Sequence, residues 1–67
     1  MKIGMKAARV NAGLTQEEAA KRLGVNKGTI ANYEMHKTKP SIDIALAMAE
    51  LYGVSIDDII FLPTGCA

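Results

Sequence analysis

Cysteine occurs once, as Cys66, histidine once, as His36, and tryptophan not at all. A single cysteine excludes an intrachain disulfide and a cysteine-based metal cage, and it suits a reducing compartment. The lone histidine is far in sequence from the lone cysteine. The chain has no glycine-rich phosphate loop and no carboxylates grouped at ligand spacing. Catalysis, a cofactor and a metal site are therefore not expected. Apolar runs are short. MKIGMKAARV does not form a signal peptide, the closing GCA does not match a prenylation signal and no segment suits a membrane, so the cytoplasm is the expected location. The aromatics are only Tyr33, Tyr52 and Phe61, which leaves a small and aliphatic core.

What is present is helical in character. Hydrophobic residues make up 49%, much of it alanine, lysine and glutamate are common, and strand-like alternation is lacking. With 67 residues the chain forms one domain, residues 1–67. A domain of that size buries only about 60% of the surface of its unfolded chain. Net charge is +1, but its distribution is polar: residues 1–39 hold all eight Lys and Arg against three acids, and residues 40–67 hold four acids and no base. One end of such a molecule attracts phosphate and the other does not.

Helix boundaries are marked repeatedly. Thr15 and Glu18 form a capping box that starts a helix over about 16–23, and Gly24 stops it. Asn26 caps the next helix, with Val25 and Ile30 as a hydrophobic staple. Pro40 and Ser41 open a fourth helix that Gly53 ends, its buried stripe being Ile42, Ala45, Ala49 and Tyr52. Ser55 with Asp58, and Val54 with Ile59, repeat the cap and staple for a fifth. A first helix over about 3–12 turns Ile3, Ala7 and Val10 inward. The expected fold is all-α, a compact bundle of five short helices.

Only Gly24 to Asn26 separate helices two and three, so the two cross steeply as a helix-turn-helix unit of about residues 16–35. Ala20 is small where the axes come close. Helix three is built from weak helix formers around Ile30. On a helical wheel Ile30, Tyr33 and Glu34 fall on one side, while Gly28, Ala31, Asn32 and Met35 fall on the other. The run LTQEEAAKRLGVNKGTIANYE, followed by KTKPS and LYGVSIDDI, resembles the Cro/cI-type helix-turn-helix family of bacterial and phage regulators over about residues 5–60. That resemblance implies a lambda-repressor-like bundle that binds double-stranded DNA with helix three in the major groove.

Under this resemblance the base-contacting set is Asn26, Lys27, Gly28, Thr29, Ala31 and Asn32. Lys27 can donate to guanine, Asn32 can pair with adenine, and Ala31 or the Thr29 methyl can meet a thymine methyl. Gly28 lets the helix approach the base edges closely. Gln16, Lys37 and Lys39 are the implied phosphate contacts, which fix register without reading sequence. Arg9 and Glu34 occupy the positions of an ion pair tying helix one to the end of helix three. Two departures from the family pattern stand out: His36 where glycine is common, which calls for a left-handed backbone, and Ala19 where leucine is usual, which predicts an underfilled core. Ile59, Ile60, Phe61 and Leu62 exceed what one face of a final turn buries, so a homodimer through this end and a purely intramolecular role both stay open. The implied function is a sequence-specific DNA-binding transcriptional regulator, a small repressor. The alternative is an antitoxin or other module that holds a protein partner and whose DNA binding is autoregulatory.

Overall fold

A computed structural model describes residues 2–61. Among them the element order is β1 (Ile3–Gly4), α1 (Met5–Asn11), α2 (Gln16–Leu23), α3 (Lys27–Glu34), α4 (Ile42–Tyr52) and β2 (Ile59–Ile60). α2 is the most fully specified helix. The Thr15 hydroxyl accepts from the Glu18 amide at 3.0 Å, and the Glu18 carboxylate accepts from the Thr15 amide at 2.9 Å. These contacts, led by the Thr15 amide, hold the Glu18 carboxyl below its ordinary range. Glu17 and Glu18 stand at the positive end of the helix and Lys21 and Arg22 at the negative end, as its dipole favours. Gly24 closes it at φ 72°, a left-handed conformation that costs glycine nothing.

α3 enters after Asn26 and crosses α2, and the two helices make the most extensive contact in the fold. Ile30 is fully buried at the centre of α3, and Met48 of α4 is nearly so. Burying a side chain the size of Ile30 stabilises by about 1.5–3 kcal/mol. The rest of the core is small: Ala8, Ala19, Ala20 and Ala49 are buried, with Tyr33 and Tyr52 as its aromatics. Two methionines, Met5 and Met48, fill space that the alanines leave, as an unbranched side chain can.

The fold is mostly helical, but with four helices instead of five among the described residues. After Gly53 the expected fifth helix makes one turn and stops. The Asp58 amide donates to the Ser55 carbonyl at 2.9 Å, and the chain then becomes extended. Ile59 and Ile60 pair in parallel with Ile3 and Gly4, and the Ile3 amide donates to the Asp58 carbonyl at 2.8 Å. Two consecutive β-branched residues gain more from this ladder and from packing than from another helical turn. Lys2 adds a hydrogen bond from its Nζ to the Asp57 carbonyl. Extended geometry also sorts the apolar run: Ile59 is buried, while Ile60 and Phe61 are half-buried. Leu62 and Cys66 lie outside the described residues.

Two helical faces differ from expectation. α1 begins at Met5, because Ile3 belongs to the strand, and it turns Met5, Ala8 and Arg9 inward. Ala7 is exposed, and Val10 is 55% exposed. In α4 the buried stripe is Ala45, Met48, Ala49 and Tyr52, whereas Ile42, at the first position, stands outside it.

Candidate nucleic-acid interface

The surface of α3 is placed by a buried polar network behind it. Arg9 Nε donates to Glu34 Oε2 at 2.6 Å, and Arg9 Nη2 donates to Glu34 Oε1 at 3.3 Å. The two side chains are only 9% and 5% exposed. Arg9 Nη1 donates to the Leu14 carbonyl at 2.8 Å, which holds the chain just before α2. Gln16 Nε2 donates to Glu34 Oε1 at 3.0 Å. One carboxylate at the end of α3 therefore gathers donors from α1 and from the start of α2. Paired and hydrogen-bonded ions of this kind tolerate burial, which unpaired ones do not.

The outward face differs from α2 in every local respect. Asn26 occupies the N-cap position, with its carbonyl accepting from Thr29 at 3.0 Å, but its side chain makes no capping hydrogen bond among the described residues. The first turn of α3 carries no acid and begins with Lys27, whose charge opposes the helix dipole. Asn26, Lys27 and Gly28 are exposed, while Thr29, Ala31 and Asn32 are half-buried. A Cβ built on Gly28 would meet nothing within 4 Å, so packing does not require glycine there. Lys27 lines two adjoining grooves. One, of about 430 Å³, is shared with Arg9, Leu14, Thr15, Gln16 and Glu17. The other, of about 220 Å³, is shared with Glu17, Ala20, Lys21, Val25 and Asn26.

α3 closes in a Schellman arrangement, with the His36 amide donating to the Tyr33 carbonyl at 3.1 Å and the Lys37 amide to the Asn32 carbonyl at 2.9 Å. His36 has φ 59°, the left-handed conformation that its position demands, at a cost of about 1–2 kcal/mol for a residue with a Cβ. This fixes the backbone from which the exposed Lys37 and Lys39 project.

With this geometry, likeness to known proteins becomes informative. A family model described as helix-turn-helix matches residues 5–59. The chain is 44% identical over 59 residues to a protein of Methanocaldococcus jannaschii named as an uncharacterized HTH-type transcriptional regulator, a match covering 88% of this chain and 89% of the relative. The chain belongs to the Cro/cI-type helix-turn-helix family. It is also 42% identical over 53 residues to the HTH-type transcriptional regulator ImmR of Bacillus subtilis, over 79% of this chain and 42% of ImmR. With the cryptic phage CTXphi transcriptional repressor RstR of Vibrio cholerae the identity is 36% over 52 residues, covering 78% and 47%. The chain thus spans less than half the length of ImmR and of RstR.

Within this Cro/cI-type domain, two features of the network have no local sequence signal. Gln16 and Glu34 are 18 residues apart, and their bond depends on the crossing of α2 and α3. Tyr52 of α4 is 6% exposed and feels the charges of both Glu34 and Arg9, with a hydroxyl that has no hydrogen-bond partner among the described residues. Burial, and secondarily the negative charge of Glu34, push its pKa up to about 12, with Arg9 pulling the other way.

Glu34→Ala leaves the Arg9 guanidinium buried and unpaired and should cost about 3–5 kcal/mol in urea unfolding, whereas the double replacement Arg9→Met/Glu34→Leu should recover most of that loss. Tyr52 is neutral in the fold up to a higher pH than the ordinary value of about 10 in the unfolded chain. Its contribution is therefore complete below about pH 10 and is lost as pH rises through about 12. Unfolding curves across this window should show an alkaline loss of stability that Tyr52→Phe reduces.

Proposed function

We propose that the domain is a sequence-specific double-stranded DNA-binding transcriptional regulator, acting as a small repressor, with α3 entering the major groove. The observation that carries this reading is the uncompensated start of α3: exposed Asn26, Lys27 and Gly28 supply no side-chain cap and no packed side chain, yet a buried ion pair holds the helix that presents them. Lys27 donates to guanine O6 or N7 and Asn32 pairs with adenine, while Ala31 and Thr29 offer methyl groups to thymine. Asn26 adds a free side-chain amide at the entrance to the groove. Gln16, Lys37 and Lys39 hold phosphates on either side and set the register. Repression is favoured by the likeness to RstR, a phage repressor by name.

Two copies reading half-sites about 34 Å apart suit this family, and Ile60 with Phe61, half-buried at the β2 end, is the surface we assign to their contact. A protein partner is the second reading. It is favoured by Ile42 and Leu46, which stand 68% and 50% exposed one turn apart on α4. Copurification of an obligate partner from the native host would decide for the second reading.

The deciding experiment is selection of bound sequences from random duplexes. Asn32→Ala should relax the preference at one position. Lys39→Ala should weaken binding to all sequences alike and lower the salt slope by about one unit. Equal and featureless losses from both, or no binding at low ionic strength, would reject the assignment. Gly28→Ala gives a separate check: it should raise stability in urea by roughly 0.5–1 kcal/mol while weakening binding to the selected duplex. A gain in stability with unchanged affinity would remove the close approach assigned to Gly28.

A further inference from the structure

We propose that Glu34 is a positioning residue for DNA binding, fixing which edge of the Gln16 carboxamide faces the phosphate backbone. The inference rests on the reading of Gln16 as a phosphate contact and adds to it the group that makes the contact directional. A carboxamide has a donating edge and an accepting edge, and a free glutamine presents either. A phosphate oxygen only accepts, so only the donating edge is useful. Glu34 also only accepts while ionised, and it takes Gln16 Nε2 at 3.0 Å. Reversing the amide would place its carbonyl oxygen against the carboxylate, replacing a charge-assisted hydrogen bond with a repulsion. One N–H of the Gln16 amide is thus committed to Glu34. The second stays on the same nitrogen for a partner.

The surroundings make this arrangement rigid. Arg9 holds both oxygens of Glu34 from the side of α1, at 2.6 Å and 3.3 Å, so the carboxylate is not free to follow a moving Gln16. Gln16 is half-buried at the first position of α2 and lines the groove of about 430 Å³ with Thr15, Glu17 and Lys27. A phosphate at the mouth of that groove would meet the remaining N–H of Gln16. The ion pair therefore does more than hold two helices together, because it determines the polarity of a side chain on a third.

The test uses the duplex that the wild-type protein selects from random sequences, with single phosphates replaced in turn by methylphosphonate, which removes the charge. Replacement at the phosphate held by Gln16 should cost wild type roughly tenfold in affinity, the scale of a hydrogen bond to a charged group. Gln16→Ala should abolish the sensitivity at that position alone. Glu34→Gln should do the same while keeping the sensitivities assigned to Lys37 and Lys39. Because Glu34→Gln weakens the buried pair, Glu34→Asp is the second variant: it keeps a charge for Arg9 but draws the carboxylate away from Gln16 by one methylene. Circular dichroism at the assay temperature establishes which variants are folded. A folded Glu34 variant that keeps the full penalty at the Gln16 phosphate overturns the inference, as does one whose loss is spread evenly over every phosphate, the signature of a purely structural role. A wild-type scan in which no position depends on Gln16 instead overturns the phosphate reading itself, and the inference with it.

Discussion

The carboxylate of Glu34 is the point at which three helices are fixed relative to one another. Its partner Arg9 comes from α1, its second donor Gln16 comes from the start of α2, and Glu34 itself ends α3. Arg9 also reaches the Leu14 carbonyl, so the segment leading into α2 is held by the same guanidinium. A core built largely of alanine and one fully buried isoleucine gives little directional information, since apolar contacts are satisfied by many small displacements. A bidentate guanidinium–carboxylate contact is satisfied by few. It is costly to desolvate and gives little net stability against an apolar replacement, so its value here lies in geometry.

The contrast between α2 and α3 follows from that division. α2 carries a capping box, acids at its positive end and bases at its negative end, and would tend toward helix without help. α3 has none of these and carries Lys27 where an acid would be favourable. Its order comes from tertiary sources, namely Ile30 in the core, Glu34 in the ion pair and the Schellman closure at His36. The strained left-handed histidine shows the same pattern: the closure is kept despite a residue that resists it. An outer face freed from the work of stabilising its own helix is available to a ligand.

Legibility in the sequence tracks how local each signal is. The limits of α2, the left-handed turn at Gly24 and the inward set Ile30, Tyr33 and Glu34 are legible because each depends on neighbours within about four residues, whereas the left-handed His36 is indicated by the family pattern. A fifth helix does not form although Ser55, Asp58 and Val54 imitate a helix start, because the competing interaction lies more than fifty residues away at Ile3. That same pairing takes Ile3 out of α1, which begins at Met5 and buries Met5, Ala8 and Arg9, with Val10 at the surface. The family pattern indicated the Arg9 and Glu34 positions. The Gln16 contact and the unpaired hydroxyl of Tyr52 required the crossing angles of the helices, which no local pattern supplies.

Separating the residues that hold the fold from those that face outward decides which positions are free to change. Asn26, Lys27 and Gly28 make no side-chain contact that the core or the caps depend on, and open space surrounds the Gly28 Cα. Substitutions there change the exposed face at little cost in stability, typically within about 0.5 kcal/mol for surface positions. Arg9, Glu34 and Gln16 have no such freedom, because each is bonded to another member of the network. A change in any one alters the fold and the way α2 and α3 are held against each other. Freedom to vary without loss of stability thus lies in the first turn of α3, whose orientation is held by the buried Arg9–Glu34 network.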